Sequence, residues 1–419
     1  MRIVESEAMG GALVSGKWSR GSTLRVLAAV GFVVVMLRMP VAVAHVTGQQ
    51  ALVYTEQMAT MSMNLWKVTG PGKDRFQYEL GTILRGIELV HEATQKENYL
   101  DYIKYKVDRF VYDDGTITSY VLDEFQLDSI LTGRLLLTLF KATGANKYKT
   151  AADLLREQLR KQPRTHEGGF WHKNVYPYQI WLDGLYMAEP FYAQYAMEFK
   201  EDDDFDDIAA QFIITEKRMR DSKTGLLYHG YDESRVETWS DPVTGCSPSI
   251  WGRGVGWFTM ALVDTLDYFP DHHPKRPELL AILIRIAVAV KSVQDPQSGL
   301  WWEVMDKGGD AGNYLESSAS AMFVYSLAKG VRLGYLTKGQ FHESVLSGYD
   351  GIVSHFVQVA SDGGVSYTGT VSVGGLGGNP YRNGSYAYYL SEEVVSNDPK
   401  GVGSFLMASV ENLRVSLSD

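Results

Sequence analysis

Two loops of this chain carry one six-residue signature, and the helical stretches around them alternate in character. Asp221-Ser-Lys-Thr-Gly-Leu226 and Asp295-Pro-Gln-Ser-Gly-Leu300 share the pattern D-x-x-[ST]-G-L, and aromatic residues follow both: Tyr228, and Trp301 with Trp302. Gly168-Gly-Phe-Trp171 and Gly363-Gly-Val-Ser-Tyr367 are looser relatives, in which a glycine turn leads into a short β-like aromatic piece. Before each loop stands a charged stretch with helical spacing: 147–162, 205–220, 277–294 and 340–359. After each comes a helix-like stretch poor in Lys and Glu and rich in Ala, Gly, Met, Tyr and Trp: 178–198, 251–269, 315–335 and 381–392. Residues 78–94 and 123–144 match this second kind.

A helix that is apolar all round belongs inside, and a one-sided helix belongs on an outer layer. The predicted architecture is therefore an all-α (α/α)6 toroid of six helical hairpins, with short β-like pieces in its rim loops. It forms a single domain over residues 46–415. Gly81, Asp128, Asp183, Arg253, Ser317 and Asn383 stand at comparable places near the inner-helix starts. Inner helices that all begin on one rim gather unpaired N–H groups and partial positive charge there. That rim suits an anionic ligand even though the chain's net charge is −10.

The same charge, with no block of basic residues, argues against a nucleic-acid surface. A single cysteine, Cys246, excludes an internal disulfide framework. Lys17, Arg20 and Arg25 precede an apolar run from Val26 to Leu37, and Ala42-Val43-Ala44 offers a cleavage site. Residues 1–44 read as a signal peptide or an extension, and the expected location is secreted, with the cytoplasm as the alternative. The run is too short for a membrane span, which takes about 20 residues. Neither a membrane nor an obligate protein partner is expected.

The densest chemistry lies between Phe170 and Met187. His172 and Lys173 sit in a loop, and Asp183 follows two turns into an apolar helix. A buried carboxylate is costly unless paired or used, and burial raises its pKa toward what a general acid needs. A structural Asp tied to a neighbouring loop fits the same pattern. Asp128 occupies the corresponding place on an earlier inner helix and is the natural partner carboxylate, or simply a charge favoured at a helix N-terminus. In Trp251-Gly-Arg-Gly-Val-Gly-Trp257, three alternate glycines allow close backbone approach, with Arg253 reaching a ligand and Trp257 stacking on it, or with Arg253 in an ion pair. No flanking βαβ pattern supports a dinucleotide loop there. His229 is placed like His172 one repeat earlier, and no His-x-x-x-His or Cys cluster points to a metal. A Gly-x-Ser-x-Gly elbow is absent.

These segments resemble a known family. His172-Lys173, Trp181-Leu-Asp-Gly-Leu-Tyr-Met187, Trp251-Gly-Arg-Gly-Val-Gly-Trp257, Leu127-Asp-Ser-Ile-Leu-Thr-Gly-Arg134 and Glu316-Ser-Ser-Ala-Ser-Ala-Met-Phe323 look like those of the unsaturated rhamnogalacturonyl hydrolases, glycoside hydrolase family 105. The resemblance runs from about Tyr78 to Tyr335. It implies the same toroid, with Asp183 as general acid/base, Asp128 as the second carboxylate, and Tyr78, His172, Lys173, Trp181, His229, Arg253 and Trp257 lining the site. The implied reaction uses no cofactor or metal: it hydrates the C4–C5 double bond of an unsaturated galacturonyl residue on a pectin fragment. Two positions depart from the family, Val255 where Asn is frequent and Glu189 where a small residue is usual. The alternatives are an unsaturated glucuronyl hydrolase, a sugar 2-epimerase on the same toroid, and a toroid that binds sugar without reacting.

Overall fold

The alternation of helix character becomes two concentric rings. The structure, a computed structural model, describes residues 45–71 and 74–417. The expected leader, residues 1–44, lies outside the described residues. In chain order the helices begin with α1 (Gly48–Leu65), α2 (Tyr78–Thr94), α3 (Glu97–Asp108), α4 (Gly133–Thr143), α5 (Asn146–Lys161), α6 (Leu182–Phe199) and α7 (Asp204–Met219). They continue with α8 (Gly252–Thr265), α9 (Arg276–Ser292), α10 (Ser317–Arg332), α11 (Lys338–Phe356), α12 (Tyr386–Ser391) and α13 (Pro399–Ser416). Helices α2, α4, α6, α8, α10 and α13 each pack on the next, and α13 returns to α2. The outer helices α3, α5, α7, α9 and α11 each cover the inner helix before them, and α1 covers α13. This is the (α/α)6 toroid expected from the repeat.

Three placements differ from the sequence reading. The sixth inner helix is α13, whereas residues 381–392 hold only the short α12 on the rim. Asn383 is therefore no inner-helix start; that place belongs to Pro399 and Lys400, with the Asp398 carboxylate capping the Lys400 N–H at 2.9 Å. Residues 123–132 are not helical throughout: they form single 3-10 turns at Leu122–Glu124 and Leu127–Ser129, so Asp128 precedes α4. Asp183 lies in the first turn of α6 rather than two turns in, because 179–181 is a strand.

Backbone closeness lets α13 complete the ring. A Cβ at Gly403 would lie 2.6 Å from the Thr82 carbonyl oxygen of α2, and one at Gly86 would lie 2.8 Å from the Gly403 carbonyl oxygen. No larger residue fits this crossing without separating the helices.

A set of ion pairs ties the inner helices together. Asp264 on α8 accepts from Arg134 on α4 at 2.6 Å, and from Lys329 and Tyr325 on α10 at 2.6 and 2.5 Å. Arg332 of α10 pairs with Glu411 of α13 at 2.7 Å, and Arg414 of α13 with Glu92 of α2 at 2.9 Å. The cluster crosses five of the six inner helices. Arg134 Nε and Nη2 have no hydrogen-bond partner among the described residues, so the desolvation cost of these charges is only partly offset.

The rim loops explain their signature. Asp221 Oδ2 accepts from the N–H and hydroxyl of Thr224 at 2.9 and 2.7 Å, and Asp295 Oδ2 accepts from those of Ser298 at 2.8 and 2.6 Å. The glycine after each has φ +74°, a conformation that favours glycine. A third copy, Asp241-Pro-Val-Thr-Gly-Cys246, folds the same way: Asp241 Oδ1 accepts from Thr244, and Gly245 has φ +81°. Short antiparallel pairs join the rim, among them β1 (Gln179–Trp181) with β2 (Gly230–Asp232).

Candidate active site

The β1–β2 pair builds the centre of the site. Trp181 is in register with Gly230, and the Leu182 N–H donates to the His229 carbonyl at 3.1 Å. His229 and Asp183, the residue after Leu182, are thereby held opposite each other, and the His229 Nε2 comes within 2.9 Å of Asp183 Oδ2. On its other side, His229 Nδ1 is 2.7 Å from the Tyr389 hydroxyl of α12. Asp183 keeps 14% of its side chain open to solvent, so this carboxylate is reachable, while His229 is wholly buried.

Burial by itself would raise the Asp183 carboxyl, but the His229 ring, His172 and backbone N–H groups outweigh it and hold the carboxyl below its ordinary value. The expectation that burial raises it is thus corrected: the first turn of a helix supplies N–H groups and dipole that stabilise the anion.

A second carboxylate stands with its own cation. The Leu127 N–H donates to the His172 carbonyl at 3.2 Å and ties the two loops together. Asp128 Oδ2 then accepts from Lys173 Nζ at 2.5 Å, and Asp128 Oδ1 is 3.4 Å from His172 Nε2. Burial depresses the His172 pKa to about 4, so its ring is neutral at neutral pH. Trp181 is stacked between His172 and Tyr176, with ring centroids 4.6 and 4.8 Å away, and meets His229 edge-on at 5.5 Å.

Arg253, at the start of α8, places its guanidinium 4.9 Å from the Trp251 ring and donates to the Val371 carbonyl at 2.5 Å. Trp251 packs on His229 and Tyr389, at 4.6 and 5.8 Å, and its indole N–H donates to Glu303 at 2.8 Å. Burial, together with Glu79 and Asp128, pushes the Tyr78 phenol at the α2 start well above its ordinary value, so it remains a neutral donor. Trp257 is not brought to this group. It is buried in the core and stacks on Tyr186 at 5.0 Å between α6 and α8. The first turn of α8 points Arg253 to the rim, and the residue four positions later continues into the packed interior.

Two members were not singled out from sequence. Tyr389 lies in a segment that reads as an inner helix, and the glycine motif that contains Trp251 points to Arg253 and Trp257 instead. An aromatic two residues before an arginine at a helix start is the signal for Trp251; Tyr389 has none in the local sequence. Among the described residues, no group of three His, Cys, Asp or Glu side chains is spaced to hold a metal ion.

A toroid with two carboxylates and stacked aromatic rings at its inner-helix starts has the architecture of a sugar hydrolase. The chain belongs to the family 88/105 glycoside hydrolases: the family model described as Glycosyl Hydrolase Family 88 matches residues 53–416. A family 105 glycoside hydrolase from C. acetobutylicum ATCC 824 is 49% identical with a TM-score of 0.83, covering 86% of this chain and 99% of its own. The unsaturated rhamnogalacturonyl hydrolase YesR of Bacillus subtilis is 31% identical over 259 residues, 60% of this chain and 70% of the relative. The unsaturated glucuronyl hydrolase of Bacillus sp. GL1 shares the fold, with a TM-score of 0.63 at 15% identity, over 86% of this chain and 96% of that one.

Proposed function

We propose that this hydrolase removes a C4–C5 unsaturated galacturonyl residue from rhamnogalacturonan fragments left by a pectin lyase. Asp183 is its general acid/base. The observation that carries the reading is the solvent-reachable Asp183, anchored through His229 by Tyr389, with a second carboxylate, Asp128, paired with Lys173 on the same rim. The likeness to YesR supports the substrate class.

The scissile sugar carries a vinyl ether. Asp183 donates its proton to C4, and the cation that develops at C5 is stabilised by the ring oxygen. Water attacks C5 and returns a proton to the same carboxylate. The resulting hemiketal opens and the aglycone leaves. Hydration of an enol ether needs one carboxyl acting twice, unlike glycosidic cleavage between two flanking carboxyls. Asp128, paired with Lys173, stabilises the cation electrostatically. The substrate carboxylate meets Arg253 and the inner-helix N–H groups. Export of the enzyme through residues 1–44 is part of the same proposal, since the polymer is extracellular.

The test follows the ultraviolet absorbance of unsaturated galacturonyl-rhamnose with wild type and Asp183→Asn. Loss of absorbance with wild type and none with the variant is the expected result. Equal loss with both overturns the role of Asp183. Loss only on unsaturated glucuronyl substrates overturns the galacturonyl assignment.

A further inference from the structure

Behind the Asp128 carboxylate, two buried polar atoms without partners face one small cavity. His172 is 2% exposed and Glu189 1%. Among the described residues, His172 Nδ1 and Glu189 Oε2 have no hydrogen-bond partner, and both residues line a small cavity together with Gly184, Trp181, Leu127 and Gln211. The space open to a water centre is about 10 Å3, enough for a single molecule. Buried polar groups without partners are rare in native proteins, and an ordered water is the usual remedy.

The donors and acceptors around the cavity are few. Gln211 is committed: its Oε1 accepts from the Phe170 N–H at 2.8 Å, and its Nε2 donates to Gly168 and Asp207, both at 3.1 Å. The Trp181 indole N–H is given to Gln179 at 3.0 Å. Burial, and then the nearby Asp207 charge, push the Glu189 carboxyl well above its ordinary value, against the opposing pull of Arg164 and Arg156. Glu189 is accordingly a neutral acid with an O–H to donate. His172 is a neutral ring, so only one of its nitrogens carries a proton, and the partner of one nitrogen decides the state of the other.

We propose that Glu189 is a positioning residue: through one water in this cavity it donates to His172 Nδ1 and so keeps the proton on Nε2, where it points at Asp128. The chain runs Glu189 O–H to water, water O–H to Nδ1, and Nε2–H to Asp128 Oδ1. With Lys173 on Oδ2, both oxygens of Asp128 then have a donor, and the carboxyl group is held in one orientation. The catalytic part of this assignment rests on the proposed hydration reaction; the tautomer part does not. Gly184 belongs to the arrangement, because a Cβ there would lie 3.2 Å from His172 Nδ1, in the water's place.

The tautomer is read directly from long-range 1H–15N spectra of protein labelled with 15N-histidine, with His172 assigned by a His172→Gln spectrum. Wild type and Glu189→Gln, whose amide N–H still donates, are expected to give the Nε2–H pattern. Glu189→Met is expected to give mixed tautomers, and Gly184→Ala to do the same by displacing the water. On unsaturated galacturonyl-rhamnose, Glu189→Met lowers kcat about tenfold with KM unchanged, and Glu189→Gln restores it. A pure Nε2–H pattern in both Glu189→Met and Gly184→Ala, each folded by circular dichroism, overturns the proposal. A tautomer shift with no activity on any unsaturated uronide in wild type leaves the relay standing and removes the hydration reading.

Discussion

Tyr389 holds His229 from behind. Its hydroxyl is 2.7 Å from Nδ1, while Nε2 faces Asp183 at 2.9 Å. The phenol is pushed well above its ordinary value by burial, with Tyr388 and Asp183 adding to it, so it stays protonated and donates to Nδ1. The ring then presents Nε2–H to the carboxylate. Tyr389→Phe removes one hydrogen bond and leaves the stacking on Trp251 intact. At about 1 to 1.5 kcal/mol for such a bond, kcat falls roughly tenfold. Steady-state kinetics check this, and an unchanged kcat would show that His229 needs no anchor.

The depressed Asp183 carboxyl dictates the pH behaviour. The free enzyme holds it below the ordinary value, yet the first step needs its acid form. Above that pKa the protonated fraction falls tenfold per pH unit, so kcat/KM declines with a slope near −1 across the neutral range. Binding adds the substrate's own carboxylate, a like charge that raises the pKa in the complex. The kcat profile therefore holds its plateau to higher pH than kcat/KM. Profiles measured from pH 4 to 8 that superimpose would sink this account.

Asp264 joins three inner helices, and Asp264→Leu strands Arg134 in the interior and leaves Lys329 with Asp267 alone. Breaking a buried pair in this way costs about 3 to 5 kcal/mol. Burial opposes the Asp264 anion, but Lys329, Arg134 and Arg85 more than offset it and hold the carboxyl below its ordinary range. A carboxyl lowered on folding contributes stability above its unfolded pKa of about 4, and loses it as pH falls through the folded value. Urea denaturation at pH 7 is expected to show the deficit, and the gap between variant and wild type narrows below about pH 4. A variant within 1 kcal/mol of wild type at pH 7 contradicts the assignment.

Cys246 is a structural thiol. Burial pushes it up to about 11, and its Sγ donates to the Arg218 carbonyl at 3.2 Å. From the thiolate fractions alone, iodoacetamide at pH 8 labels the folded protein roughly 100-fold more slowly than the unfolded chain. Mass spectrometry of timed samples gives both rates. Equal rates would mean that the loop at Asp241 opens freely.

Much of the ring was legible because helix character follows burial. Residues 251–269 and 315–335 contain few charges and became inner helices, and 78–94 became one although it carries Glu79, Arg85, Glu88 and Glu92. The sixth, α13, follows no loop of the repeated pattern directly, and its charges are spent inside the ring: Glu411 on Arg332 of α10, Arg414 on Glu92 of α2, and Lys400 on the neighbouring Asp398. The aromatic, nearly uncharged stretch at 381–392 imitated an inner helix and is a rim turn. The third D-x-x-T-G loop was hidden by Cys246 standing where the other two have Leu. Asp183 and His229 were each picked out from their motifs, but their contact depends on β1 pairing with β2, and no local pattern encodes such a distant register. Trp257 failed for the opposite reason: an aromatic in a site motif can equally be core.

The ring's seam lies between the first and last described helices. Gly48 of α1 sits against Ser416 of α13, where a Cβ would approach within 3.0 Å, and α13 also needs α2 and α10. During synthesis α1 leaves the ribosome without the helix it covers, and the toroid stays an open arc until α13 emerges. Among the described helices, closure of the ring thus waits on α13, and a circular permutant that joins α13 to α1 through a short linker moves that dependence to whichever inner helix then comes last.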